Sequence, residues 1–418
     1  MALNALFVGS TGLNANSTAL DIVGNNLANL NTTGYKNQRT LFRDVVYQTL
    51  NSGSGSSTAV GGVNPVQLGF GVNIGSVDSL FQQGNLSPTG RPLDAGLQGS
   101  GFFVANDGTK NVYTRAGAFN VDSQGYLVDP GTGYRIQRFG PTGEGGGGLP
   151  TFQTVGDSRI KLPFGAGVSG VPTANVNYQG NLDSTVAVGK SVTTAIQVYD
   201  TQNTARSLTV TFTKSAVNQF TLTAAVAGGT ATVPAGTTLT FDNNGVLQSP
   251  ATVPIDLTGI PGATNQTVTL NLGTIGQADG LTQFGGTSTA TAVTQDGSGA
   301  GTLVSVSFDQ TGTIQGQFTN GRSIPIAQLA IAAFNNEGGL YREGTNYFSV
   351  SASSGEALIG VAGSGGRGAV RGSTLEGANV DIATEFSRLI VAQRGFQVNA
   401  KTITAANDTL QELANIIR

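Results

Sequence analysis

The chain of 418 residues contains no cysteine and no histidine. Their absence removes disulfides, thiolate nucleophiles, imidazole bases and the usual transition-metal ligand sets, so most enzyme classes fall away and no cofactor or metal is expected. Charge is scarce too: Asp, Glu, Lys and Arg make up 11% of the residues, against about 25% in an average soluble protein. The net charge of −3 offers no basic field for nucleic acid and no cationic patch for a membrane. Long apolar runs are missing as well. The first, residues 5–8, falls far short of a signal-peptide core and has no basic flank, and nothing approaches the length of a membrane span. If the protein acts outside the cell, a Sec-type signal is not expected to have sent it there.

What is present is concentrated at the two ends. Leu6, Leu13, Leu20 and Leu27 repeat every seven residues near the start, and Ile382, Leu389, Phe396, Ile403, Leu410 and Ile417 do so at the finish. Seven-residue spacing winds helices around partners. From Ala2 to Tyr35 the one charged side chain is Asp21, whereas a water-facing helix normally carries many. Gly9, Gly12 and Gly24 each cost about 1 kcal/mol relative to Ala in a helix interior, so this helix should barely form alone. Small residues suit close backbone approach, and the helix is expected to be buried by something else. The C-terminal ladder is the better helix, with Asn379 as expected N-cap and Asp381 and Glu385 in the turns where the dipole favours carboxylates. At 1.5 Å per residue it would run roughly 58 Å. With the ladder as position a, the second seam row is expected at Phe386, Gln393, Ala400, Asn407 and Ala414. An intramolecular helix pair and packing between subunits both satisfy this periodicity. The missing charges of the first helix favour the second.

Between the ladders the rhythm is that of β structure. The turn Asn106-Asp107-Gly108 between Phe102-Phe103-Val104 and Val112-Tyr113-Thr114 predicts a hairpin. Asp122, Asp242 and Asp309 each precede a glycine by three residues, which is turn chemistry; calcium ligation would need an EF-hand spacing that is missing. Residues 52–62 read as a flexible excursion, and 143–148 and 285–302 as glycine-rich linkers bracketing an inserted domain. Within it, Ile196/Val198, Leu208/Val210/Phe212, Phe220/Leu222 and Val268/Leu270/Leu272 alternate as half-buried antiparallel strands do. Gly34 is expected to cap the first helix at its C-terminus. Residues 363–368 match G-x-G-x-x-G, but a heptad helix follows where a second strand should stand, so a flexible connector is the reading.

The run GNNLANLNTTGYK at residues 24–36 resembles the N-terminal signature of the bacterial flagellar rod and hook family. GFFV at 101–104, YTRAG at 113–117 and GYLV at 125–128 are similar to the inner β domain of its distal rod and hook members. LEGANVD at 375–381 and IVAQRGFQVNA at 390–400 resemble its C-terminal signature. The signature residues on this reading are Gly24, Asn25, Asn26, Asn29, Asn31, Thr33, Gly34, Lys36, Asn379, Asp381, Gln393 and Arg394. QGNLDS at 179–184 and the large β insert resemble the hook branch.

The resemblance implies an α+β multidomain chain whose terminal helices pair as a coiled-coil-like inner domain, the remaining domains being mainly antiparallel β. The expected division is 1–33 with 376–418 as helical tube core, 34–70 as connector, 71–149 with 303–375 as inner β domain, and 150–302 as outer β domain. It implies a tube of identical subunits, flexible and curved, that passes motor torque as a universal joint, with the ladder residues at the subunit interface. Implied partners are further copies of the chain, a distal rod protein, a hook-filament junction protein, a cap scaffold and the flagellar type III export apparatus. Some hook proteins cross-link through cysteine and lysine, a chemistry this chain lacks. A distal rod component with an unusual insertion and a secreted β-rich adhesin remain as other readings.

Overall fold

In a computed structural model describing residues 2–56, 58, 61–146, 149–165 and 167–416, the two terminal helices pair with each other. Helix α1 spans Ala2–Ala28 and helix α2 spans Ile382–Ile416, and they run antiparallel: Gly9 lies beside Ile403, Gly12 beside Asn399, and Asn16 beside Gly395. The intramolecular pair is therefore realised, and α2 supplies the burial that α1 cannot provide for itself. Ladder residue Ile417 lies outside the described residues. Two expected caps are corrected. The N–H of Thr384 donates to Asp381 Oδ1 at 2.7 Å, so Asp381 and not Asn379 caps α2. Helix α1 stops at Ala28, too early for Gly34 to cap it.

The segment after α1 forms a two-stranded ribbon. Gln38–Asp44 pairs with Val72–Ser79, Tyr47–Asn51 pairs with Val66–Gly69, and Ser54 bridges Val63 near the tip. The stretch expected as a flexible excursion is thus the end of a paired arm, apart from Ser57, Ala59 and Val60, which lie outside the described residues. The ribbon crosses α1 at Gly71, where φ is +101° and a Cβ would stand 2.2 Å from Thr11 Oγ1. No side chain fits there.

Two sheets share one core beyond the ribbon. A nine-stranded sheet holds the expected hairpin, with Phe103 opposite Thr114 and Val104 opposite Tyr113. A four-stranded sheet of Gly167–Val168, Gly301–Phe308, Thr313–Phe318 and Ser323–Gln328 packs on it through Phe103, Leu127, Ile136, Ile314, Ile326 and Leu329, all fully buried. A separate core lies between a six-stranded and a five-stranded sheet. There Leu208, Val210, Phe212 and Phe220 point inward as their alternation predicts.

The three Asp turns are built alike. Oδ1 of Asp122 accepts N–H bonds from Gln124 and Tyr126 at 2.8 Å each; Asp242 and Asp309 repeat the pattern, and the glycines Gly125, Gly245 and Gly312 have φ between 78° and 87°. Their carboxylates serve the turn. The expected linkers are not slack. Glu144–Gly146 pairs with Leu149–Thr151 in a tight hairpin, with Gly147 and Gly148 outside the described residues. Thr291–Gln295 is a strand against Asn175–Asn181, so the chain crosses between the two β bodies only near Val171 and Ser298. These two bond each other at 3.0 and 2.8 Å. Residues 363–368 form a turn pinned by Arg367, whose Nε donates to Val361 O at 2.9 Å, and no helix follows directly.

Candidate functional site

The seam of the helix pair differs in phase from the leucine ladder. In α1 the residues turned toward α2 are Gly9, Gly12, Asn16, Ala19, Val23 and Asn26, which alternate by three and four residues. That is a heptad of small and amide side chains. Leu6, Leu13, Leu20 and Leu27 flank it and are only half-buried. In α2, Leu389, Phe396, Ile403 and Leu410 keep one seam row, half-buried, while Ile382 is exposed. The second row is Glu385, Ala392, Asn399 and Ala406, three residues after the ladder instead of four. Phe386, Gln393, Asn407 and Ala414 face outward and Ala400 is half-buried, correcting the expected row. Each helix presents a hole where the other presents a knob.

The outer side of the pair carries uncovered apolar side chains among charged ones such as Arg394 and Lys401. On α2, Phe386, Ile390, Val391, Val398 and Leu413 are each more than half exposed and Ile416 is 80% exposed. The ribbon adds Phe42, Val46, Tyr47, Leu50 and Val66. Ile22, Val23, Thr40, Phe42, Val391 and Ala392 line a groove where α1, α2 and the ribbon root meet. Exposed large apolar side chains in this number are the mark of an interaction surface.

A second constellation joins this assembly to the β core. Asn26, fully buried, donates from Nδ2 to Gln38 O at 2.7 Å and to Glu385 Oε2 at 3.1 Å; its Oδ1 accepts from Gln38 N at 3.0 Å and the Tyr35 hydroxyl at 3.1 Å. Burial pushes the Tyr35 hydroxyl up, and it stays a donor. Asn379 accepts from Asn37 N at 2.7 Å and donates to Leu80 O at 2.7 Å. Gly34, with φ of +70°, packs so that a Cβ would meet Ala116 N at 2.6 Å, and the Thr33 carbonyl accepts from Asn346 Nδ2 at 2.8 Å. Lys36 Nζ stands 2.7 Å from Glu376 Oε1, and Arg115 NH1 3.3 Å from Glu376 Oε2, all three groups at most 1% exposed. Desolvation holds the Lys36 and Arg115 pKa values below their ordinary ranges, against the pull of Glu376.

Of the residues named from the sequence, Asn26, Thr33, Gly34, Lys36 and Asn379 converge here, with Asp381 capping α2 beside them. Asn25 joins them through Nδ2, which donates to the Tyr35 hydroxyl at 3.3 Å, while Asn29 bonds locally, its Nδ2 reaching Asn25 O at 2.9 Å. Gly24, Asn31, Gln393 and Arg394 point to solvent and take no part. From the sequence Asn16 has no role, Arg115, Glu376 and Asn399 stand only inside motifs, and Glu385 reads only as a carboxylate favoured by the helix dipole. The available signal was scarcity: Lys36 is the first cation of the chain. No group of His, Cys, Asp and Glu suited to a metal occurs among the described residues.

Comparisons with known proteins agree along the whole chain. Residues 6–36 match the family model described as flagella basal body rod protein, 96–211 the flagellar hook protein FlgE/F/G D1 domain, 172–298 the flagellar basal body protein FlaE D2 domain, and 371–416 the flagellar basal body rod FlgEFG protein C-terminal. The chain is 36% identical to the flagellar hook protein FlgE of Treponema pallidum, covering 100% of both, and 36% identical to that of Borreliella burgdorferi, covering 99% of each. Against the protein of the same name in Salmonella typhimurium the identity is 33% over 97% of this chain and 98% of that one. The crystal structure of Helicobacter pylori flagellar hook protein FlgE2 shares the fold, with a TM-score of 0.52 and 14% identity over 69% of this chain and 100% of that one.

Proposed function

This chain belongs to the flagellar hook protein family, as a structural subunit of the bacterial flagellar hook, and on that premise we propose that its paired terminal helices form the inner wall of a helical homopolymer. One observation carries the reading: the pair satisfies its seam inside one subunit yet leaves Phe386, Ile390, Val391 and Val398 uncovered beside an apolar ribbon. A surface patch that meets a different patch on the next copy generates an open helical polymer. The ladder residues Leu6, Leu13, Leu20 and Leu27 flank that surface and contribute its rim.

In this reading 1–33 with 376–418 is the tube core. The inner β layer, expected at 71–149 with 303–375, runs instead from after Ser79 to Val171 and from Ser298 to 375, because Ile160, Leu162 and Val168 belong to its core. The outer layer, expected at 150–302, is the part between Val171 and Ser298. The segment 34–70, with its return strand to Ser79, is the arm that reaches across to another copy. Torque passes through the helical wall and the polar node at its base, while bending is taken up by sliding between outer β bodies. The paired crossing at Val171 and Ser298 makes each body move as a unit. The chain carries no enzyme activity. Its further partners are a distal rod protein below, a hook-filament junction protein above, the cap scaffold during growth, and the type III export apparatus as its route out.

Electron microscopy of purified, polymerised protein tests this. A short curved tube with α1 and α2 on the inside is the expected result; helices on the outer surface would overturn the assignment of the wall.

A further inference from the structure

The node at the base of the helix pair has an imbalance of charge. Lys36 and Arg115 come from distant parts of the chain, and Glu376, the last of the three in order, is in contact with both. Its Oε1 also accepts from Gly84 N at 2.8 Å, and Lys36 Nζ donates to Gln82 O at 2.8 Å. Glu337 acts on both cations from farther off; it is half-buried and its carboxyl is pushed up by burial. With Lys36 docked and the Glu376 carboxyl absent, two buried cations would share the node with no carboxylate in contact. Leaving a buried charge without its partner is among the more destabilising changes a fold can suffer. Arg115 with Glu376 alone, by contrast, is a neutral pair.

We propose that this node is a directional closure gate: the N-terminal arm carrying Lys36 docks on the β core only after the C-terminal strand has delivered Glu376 to Arg115. The order of docking is then the reverse of the order of the chain. Helix α1, which precedes Lys36, then pairs last, onto an α2 that is already anchored. The inference stands on the charge geometry and does not depend on the polymer reading.

Amide hydrogen exchange on the full chain tests it, with residues 34–38 reporting the arm and Phe102–Asn106 reporting the β core. Glu376→Gln is expected to speed exchange at 34–38 tenfold or more while the core stays within threefold. Adding Lys36→Met to that variant should slow exchange at 34–38 at least threefold relative to Glu376→Gln alone, because one of the two buried cations is gone while Arg115 still lacks its carboxylate. Lys36→Met alone should also stay within threefold. In pulse labelling during refolding, 374–376 should become protected before 34–38. Unchanged exchange in Glu376→Gln, a double variant as labile as the single one, loss of the core in Glu376→Gln, a tenfold loss in Lys36→Met alone, or the opposite order of protection would each overturn the gate.

Discussion

Asn16 and Asn399 occupy each other's glycine notch across the helix pair. Asn16 Nδ2 donates to Gly12 O at 2.7 Å while its Oδ1 lies 2.5 Å from where a Cβ on Gly395 would stand. Asn399 Nδ2 donates to Gly395 O at 2.8 Å, with its Oδ1 2.6 Å from a Cβ on Gly12. The two halves of the clasp are the same device turned end for end. It fixes the antiparallel register, because a slip of one turn would put an amide against a helix side with no notch.

Gly12→Val should therefore separate the helices locally. Overpacking of this kind costs about 1–3 kcal/mol, and the displaced Asn399 also gives up its notch. Far-ultraviolet circular dichroism is expected to show lost helix with the strand signal intact. Unchanged helix content together with normal polymers would show that the notch is not needed.

Asn26→Leu removes an amide whose oxygen and nitrogen are both engaged with Gln38 and which also touches Tyr35 and Glu385. The Gln38 N–H and C=O would be left without these partners in a closed site, and each such group costs about 1–3 kcal/mol. A loss of about 2–4 kcal/mol in denaturant unfolding is expected. A change below about 1 kcal/mol would mean that water replaces the amide.

These two sites show what the sequence discloses and what it hides. The period of both ladders was legible, but the phase of α1 was not, since its seam is made of Gly9, Gly12, Asn16 and Ala19, residues that no hydropathy pattern marks. Leucine announced the helix without occupying its seam. In α2 the ladder itself held and its companion row was displaced by one residue, because a single helix does not say on which side its partner lies. The β hairpin at Asn106-Asp107-Gly108 and the three Asp turns were legible because their chemistry is local. The node was not: Lys36 stood out as the first cation, but nothing local to it names Glu376, 340 residues on.

Deleting residues 1–31 and 379–418 should leave a folded, β-rich monomer that cannot polymerise. The cut removes α1 and α2 but spares Lys36, Arg115 and Glu376, so no buried charge is orphaned in what remains. Size-exclusion chromatography and circular dichroism check both halves of the claim. Polymers from the truncated chain would contradict the role given to the helices.

Acid should weaken the fold through its exposed turns and the α2 cap. Backbone N–H donors hold the carboxyls of Asp107, Asp183, Asp279 and Asp381 below the ordinary value of 3.8. A carboxyl whose folded pKa is depressed contributes stability that is full above its unfolded pKa and lost as pH falls through the folded one. The unfolding midpoint should hold steady down to about pH 4 and drop below it. Asp381→Asn should make the helical signal less sensitive to that descent. A flat profile to pH 2 would show that these bonds persist with the protonated acids.

Ile390→Asp separates the outer face of α2 from its seam. Ile390 is 55% exposed, while Ala392, two residues on, is 6% exposed and faces α1, so a carboxylate at 390 meets water in the monomer. It costs the isolated subunit little, because a surface substitution away from caps and networks stays within about 0.5 kcal/mol. In a polymer the same position would be covered, and a charge removed from water without a partner costs several kcal/mol per ion. The expected outcome is a monomer with unchanged circular dichroism and thermal midpoint that yields no tubes under the microscope. Leu20→Asp is the weaker probe, since Leu20 is half-buried beside the seam and its change would disturb pairing and assembly together. Normal tubes from Ile390→Asp would place the wall contact on another face of α2.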